Sequence, residues 1–352
     1  MKVAINNGKI WDGERFSEGS VLAENGVITE MGAREYSADF VFDARGNIIS
    51  AGLVDVHTHL YGVAPDIYGT PADSTCLPFG VTAAADAGSV MGGAERLAPL
   101  GVKVFIFVNA EFDGEHVDFT RSEKLLKQYG DNAIGVKFYY GSDKLDGVKP
   151  LEEVCAFARS HGLKVMIHST GSPVPMADLA RTLGAGDILT HAFHGGKSNA
   201  SEDDFNCLRL AKKRGVIVDA GMAGHVHTDF KVFRGAIEAG VLPDTISTDV
   251  TRLSAFSRGG RYGMTMCMSI ARHLGMKEED VLRAVTSAAA SALGKENELG
   301  SLKIGRKADV AVIGTGESGA FSLTDAAGNN VSSATGYECL LTLLNGRVVY
   351  RK

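Results

Sequence analysis

The sequence is poor in cysteine, and its few cysteines are badly placed to bond to one another. Five occur in 352 residues, Cys76, Cys155, Cys207, Cys267 and Cys339, an odd number without a C-x-x-C pair. That spacing supports neither a disulfide framework nor a zinc ribbon, and it fits a reducing cytoplasm. Positive charge is also short: 36 Lys and Arg stand against 42 Asp and Glu, for a net charge of -6. Lacking a basic surplus to neutralise phosphates, the chain is not expected to bind nucleic acid. No apolar run approaches the roughly 20 residues of a membrane helix, and the stretch from Met1 to Gly8 turns polar before a signal sequence could form. Walker and dinucleotide fingerprints are missing too. The expectation is a soluble, cytoplasmic protein acting on a small molecule, free to form homo-oligomers.

What is present suits a large core, since 45% of the residues are hydrophobic. Residues 1–50 read as short β-prone runs punctuated by Asn7-Gly8 and Asn25-Gly26, the strongest short hairpin signal. The other end answers with Ala308 to Ile313 and Leu341 to Tyr350, the latter broken by Asn345-Gly346. Both ends are therefore expected to join in one small β-sandwich (1–50 and 301–352) that brackets a middle domain of 51–300. Within that middle lie eight apolar runs ending near His59, Asp86, Asn109, Lys137, His168, His191, Asp219 and Asp249. Their spacing is that of a strand plus a helix, and runs such as Val102 to Val108 are apolar on both faces, as a buried parallel sheet requires. Helices are expected over 151–160, 175–183, 201–214 and 229–239. Eight such units close most simply into a (β/α)8 TIM barrel of the α/β class.

Chemistry in such barrels sits at the carboxyl ends of the strands. His57 and His59 share one face of an extended strand and could grip one ion. An isolated His-x-His pair is often just two polar residues at a strand end, so the other strand ends decide the matter. His168 and His191 close two further runs, and Asp249 closes the last. Lys137 lies inside an apolar run, where an unpaired ammonium would cost several kcal/mol. Conversion to a carbamate with CO2 would turn that cation into an anion able to bridge two metals.

This constellation resembles the binuclear site of the amidohydrolase superfamily, in its dihydroorotase-like branch. Gly52 to His59, Thr248-Asp249 and Gly300 to Asp309 agree with it. Gly80 to Thr82, Asp86 to Ser89, Leu189 to His191 and Pro243 to Asp249 look like a group often mislabelled dihydroorotase or adenine deaminase whose members act as deacetylases. The resemblance implies that His57, His59 and Asp249 hold one divalent metal and His168 and His191 the other. Carboxylated Lys137 and a hydroxide would bridge them. Zinc suits these donors, with manganese or iron also compatible. Asp249 would be the catalytic proton carrier. The implied reaction is hydrolysis of an acyl group, acetyl above all, from an amide or ester of a small polar molecule. A cyclic amide hydrolase of dihydroorotase or hydantoinase type, or a nucleobase deaminase, is the alternative. A metal-free scaffold would require lost ligands, and all six positions are filled.

The sequence departs from its relatives where substrate is held. Dihydroorotases place an arginine soon after the first histidine pair, but Leu60-Tyr61 follows here. Tyr139 stands two residues past Lys137, where deacetylase-like relatives commonly carry arginine. Arg252, Arg258 and Arg261 could serve instead. His194, His225 and His227 are expected as substrate contacts in the loops after the sixth and seventh strands.

Overall fold

The computed structural model describes residues 1–98, 101–141, 145–224, 226–256 and 262–352. Five strands open the chain: β1 (Lys2–Trp11), β2 (Phe16–Glu24), β3 (Val27–Gly32), β4 (Phe40–Asp43) and β5 (Ile48–Ala51). Seven strands then run through the middle with a short companion: β6 (Leu53–Thr58), β7 (Val81–Ser89), β8 (Lys103–Phe112), β9 (Val117–Asp118), β10 (Ala133–Tyr139), β11 (Lys164–His168), β12 (Ile188–Thr190) and β13 (Ile217–Val218). The chain ends with β14 (Val310–Gly316), β15 (Phe321–Thr324), β16 (Asn330–Ser333), β17 (Gly336–Leu344) and β18 (Arg347–Arg351).

One sheet takes strands from both ends in the order β18-β17-β14-β5-β1-β2-β3, with β4 beside β1. The ends meet where β14 runs antiparallel to β5, Val310 opposite Ala51. Asn25-Gly26 and Asn345-Gly346 make the expected turns, with φ of 52° and 84°, and of 50° and 72°. Positive φ at both central residues is what a type I′ hairpin needs. Asn7-Gly8 does not turn the chain. It forms an irregularity inside β1, between Ile5 and Gly8, with Asn7 at φ 59°.

The second sheet is parallel, in the order β6-β7-β8-β10-β11-β12-β13. Segment 245–250 closes it, bridging the residue after β13 at Asp219–Thr245 and β6 at Thr58–Val250. The result is the TIM barrel read from the eight apolar runs. Helices cover it at Lys149–Ser160, Met176–Thr182, Asn206–Lys213 and Phe230–Glu238, close to their expected spans. Asp229 caps the last of these, accepting from Lys231 N and Val232 N. Valines, alanines and phenylalanines fill the lower interior, with Val54, Val56, Ala85, Phe107, Met166 and Ile188 packed against Ala289 and Leu293. Gly135 makes room for this layer, because a Cβ there would lie 2.3 Å from the Phe107 ring.

Strict alternation would put Val56 and Thr58 on the inner face and His57 on the outer. The pairing of β6 with β7 shifts between Asp55 and Thr58, however. This extra residue brings His57 and His59 inward, directly above Val54 and Val56, so the valines share the histidines' face. A bulge that re-aims side chains beside a site is a recurring device.

Candidate metal centre

The same inner face continues upward through Lys137 on β10, His168 on β11 and His191 just after β12. All three are buried. Asp249, on the closing segment, completes the ring of polar groups. Its backbone N–H donates to the carbonyl of His57 at 2.8 Å, which ties the two strand ends together.

Two groups of three side chains form on this rim: His57 with His59 and Asp249, and His168 with His191 and His227. In the first, Asp249 Oδ1 lies 3.3 Å from His57 Nε2 and 2.9 Å from His59 Nε2. In the second, the ligand atoms lie within 4.8 Å of one another. Tetrahedral bonds of about 2.0–2.1 Å space ligand atoms by roughly 3.3 Å. Two of the spacings in the first group are thus already those of a cation's ligands, and all ligand atoms in each group lie within 4.8 Å of one another. Asp249 Oδ1 and His59 Nδ1 are buried without hydrogen-bond partners in the protein. Buried polar atoms are rarely left so. The donor set and these orphaned atoms fit divalent cations.

The tautomers agree with that fit. Thr190 Oγ1 donates to Asp219 Oδ2 at 2.7 Å, so it can only accept from His57 Nδ1, 3.0 Å away. The proton of His57 is therefore on Nδ1 and the lone pair of Nε2 faces the rim. Asp219 also accepts from Thr245 and Ser247 and is fully engaged. His191 Nδ1 is likewise fixed as a donor, to the carbonyl of Gly221 at 2.6 Å. Gly221 sits at φ 50°, and a Cβ there would fall 2.2 Å from Thr190 Oγ1. Outer partners of this kind set the orientation of metal-binding imidazoles.

Burial, reinforced by neighbouring positive groups, holds His57, His168 and His191 well below the ordinary imidazole value. They are neutral, the form that donates to a metal. Burial also draws Lys137 down to about 8, against the opposing pull of Asp249, Asp219 and Asp86. Its Nζ lies 3.2 Å from His57 Nε2. For Asp249, burial pushes the carboxyl up, but the imidazoles of His57 and His59 beside it pull the other way and hold it below the usual carboxylate range.

The expected substrate contacts divide. His194 is buried, its Nδ1 accepts from Gly196 N at 3.1 Å, and its Nε2 is left as an unpartnered donor. Tyr139 is exposed, with its ring 4.4 Å from that of His168. Tyr61 is exposed on the loop after β6, and Arg252 is exposed and donates to the carbonyl of Asp66. Arg258, Arg261 and His225 lie outside the described residues. His227 departs most from the sequence reading: its ring is 4.1 Å from His191 and 4.8 Å from His168. Gly221, Ala223 and Gly224, in the segment that precedes it, all have positive φ. Sequence reasoning gave no role to Asp55, Asp86, Thr190 or Asp219. Asp55 accepts from Thr248 N and Oγ1, and Asp86 from Leu60 N and Ser89 Oγ, so they anchor the strand ends beside Asp249 and His59. Asp86 and Asp219 were legible as carboxylates closing apolar runs, a position that always demands donors.

A barrel with polar groups gathered on this rim is an architecture of hydrolases, and comparison with known proteins agrees. The description of the amidohydrolase family matches residues 48–349. The chain belongs to the amidohydrolase family and is a hydrolase. A deacetylase of Agrobacterium fabrum is 29% identical over 320 residues, spanning 83% of this chain and 77% of the relative. A deacetylase of Enterococcus faecalis is 24% identical, with 86% and 87% covered. Among solved structures, a dihydroorotase superposes with a TM-score of 0.86 at 24% identity, covering 99% of this chain and 98% of the other. That likeness speaks for the fold.

Proposed function

We propose that this enzyme uses two divalent cations to hydrolyse an acyl group, acetyl above all, from an amide or ester of a small polar molecule. The observation that carries the reading is the position of Asp249 between two ligand groups, one oxygen 2.9 Å from His59 and the other 3.9 Å from His191. His57, His59 and Asp249 would hold one cation, His168 and His191 the second, and carboxylated Lys137 would span them. Nitrogen and oxygen donors favour zinc, and manganese and iron also suit them. Such cations polarise a carbonyl and acidify water.

The chain's own residues supply the rest. A buried amine drawn down to about 8 is partly neutral near pH 7, and the neutral amine is the form that adds CO2. The resulting carbamate removes a positive charge that the rim could not hold beside two cations. Asp249, ionised and oriented by two imidazoles, accepts a proton from the attacking water and hands it to the departing amine or alkoxide. His194, with its proton on Nε2, and Tyr139 would contact substrate, and Arg252 would meet an acid group on it. The acyl choice is supported by relatives named deacetylases in Agrobacterium fabrum and Enterococcus faecalis. Five free cysteines suit a cytoplasmic setting.

The test is a screen of N-acetyl and O-acetyl acids with purified, metal-replete enzyme, read as acetate released. Acetate from members of this panel supports the reading. Ring opening of cyclic amides, or ammonia from nucleobases, with no acetate from any acylated acid would replace it.

A further inference from the structure

His227 belongs to the second group of three side chains but has no place in the ligand assignment proposed above, and it lies deeper in the rim than a surface loop would place it. Its side chain is 17% exposed, and Nε2 is 3.8 Å from Asp249 Oδ2. Nδ1 is buried and has no hydrogen-bond partner. No protein group therefore accounts for Nδ1, and Nε2 faces only the Asp249 carboxylate beyond hydrogen-bond distance. The rings of His168 and His191 pack against it at 4.8 and 4.1 Å. One ligand nitrogen from each of the three imidazoles lies within 4.8 Å of the other two, so the cluster converges on one point.

The loop is also held in place. Thr228 Oγ1 donates to the carbonyl of Met222 at 3.1 Å, and Asp229 N to that of Phe193 at 3.0 Å. The β15–β16 hairpin reaches across from the C-terminal segment to clamp it. There the Asp325 carboxylate accepts from Phe230 N at 2.7 Å, and Ala326 N donates to the carbonyl of Thr228 at 3.3 Å. A side chain meant only to sweep over substrate would not need its next three residues fixed to two other parts of the fold.

We propose that His227 is a direct ligand of the second cation, making that position a three-imidazole site that does not depend on the Lys137 bridge alone. The proposal rests on the two-cation reading above. Three protein nitrogens with a fourth position open is a recurrent pattern for catalytic zinc. Nitrogen donors of this kind also select zinc or cobalt over magnesium or calcium.

The experiment titrates metal-free full-length protein with Co2+, following visible absorption and heat, for wild type, His227→Gln and His227→Gly. Wild type should fill two sites. In both variants one site should weaken by at least about 10-fold with altered cobalt bands, and free imidazole should restore His227→Gly. Unchanged cobalt affinity and bands in both variants would overturn the proposal, even if KM rises, because that pattern belongs to a substrate contact. Wild type binding less than about one Co2+ would overturn the two-cation reading and this inference together. Two sites in wild type with unaltered variants would overturn this inference alone.

Discussion

The terminal sheet and the barrel rim both hold residues in the left-handed region, for different reasons. In the sheet these are Asn7, Asn25, Arg45 and Asn345, with φ between 50° and 59°. Three of the four are asparagine, which accepts this conformation readily, and all four precede a glycine, as turns and bulges prefer. At the rim they are His191 (φ 60°), Ala223 (47°) and Asp249 (47°). None of these residues makes a hairpin. The rim backbone is held by tertiary bonds, Asp249 N to His57 O and Ala223 N to Thr248 O. One region adopts the conformation because its local sequence prefers it. The other adopts it because the surrounding strands impose it and it aims a donor inward, which is how functional sites store strain.

If that contrast is right, rim substitutions should remove activity and leave the fold, and sheet substitutions should do the reverse. Lys137→Ala should have the largest effect, with activity falling by more than about 10²-fold and cation content reduced. Short carboxylates such as propionate should restore part of the rate by occupying the vacated bridge, which a turnover assay with and without propionate would show. Asp249→Asn should follow, because asparagine keeps an oxygen donor and tolerates positive φ but cannot take a proton. Its kcat should drop by about 10²-fold or more while cation content and Tm stay near wild type. Retention of more than a tenth of kcat, with the same acid limb, would remove Asp249 from proton transfer.

Thr190→Val tests the step from Asp219 to His57. Losing the hydroxyl frees the His57 tautomer and leaves a buried carboxylate oxygen with one donor fewer, so affinity for the first cation should fall about 10- to 100-fold. A metal-competition titration reads this directly, and unchanged affinity would reduce Thr190 to packing. The smallest effect belongs to the sheet. Asn345→Ala should cost about 1 kcal/mol of stability in denaturant unfolding and leave kcat unaltered. A matching loss of activity would mean that the sheet and rim are coupled.

Much of this was legible in the residues. The strand ends announced themselves because a histidine, lysine or aspartate closing an apolar run must find a partner. Asn-Gly pairs marked two hairpins correctly. Asn7-Gly8 misled because the same conformation also serves a bulge, and only the neighbouring strand decides which. The shift in β6 that turns His57 inward could not be read from alternation, since its cause is pairing with β7. His227 was assigned to substrate because a loop of two glycines and an alanine does not disclose where it folds. Thr190 and Asp219 sit 29 residues apart, and their hydrogen bond exists only once the barrel closes.

The central claim is that this rim holds two divalent cations. Elemental analysis of purified wild-type protein, grown with added zinc and freed of loosely bound ions, tests it most directly. The account expects about two equivalents per chain, both removed by chelation together with activity and both restored with it. Less than about one equivalent, or full acyl hydrolysis by chelated protein, would contradict it.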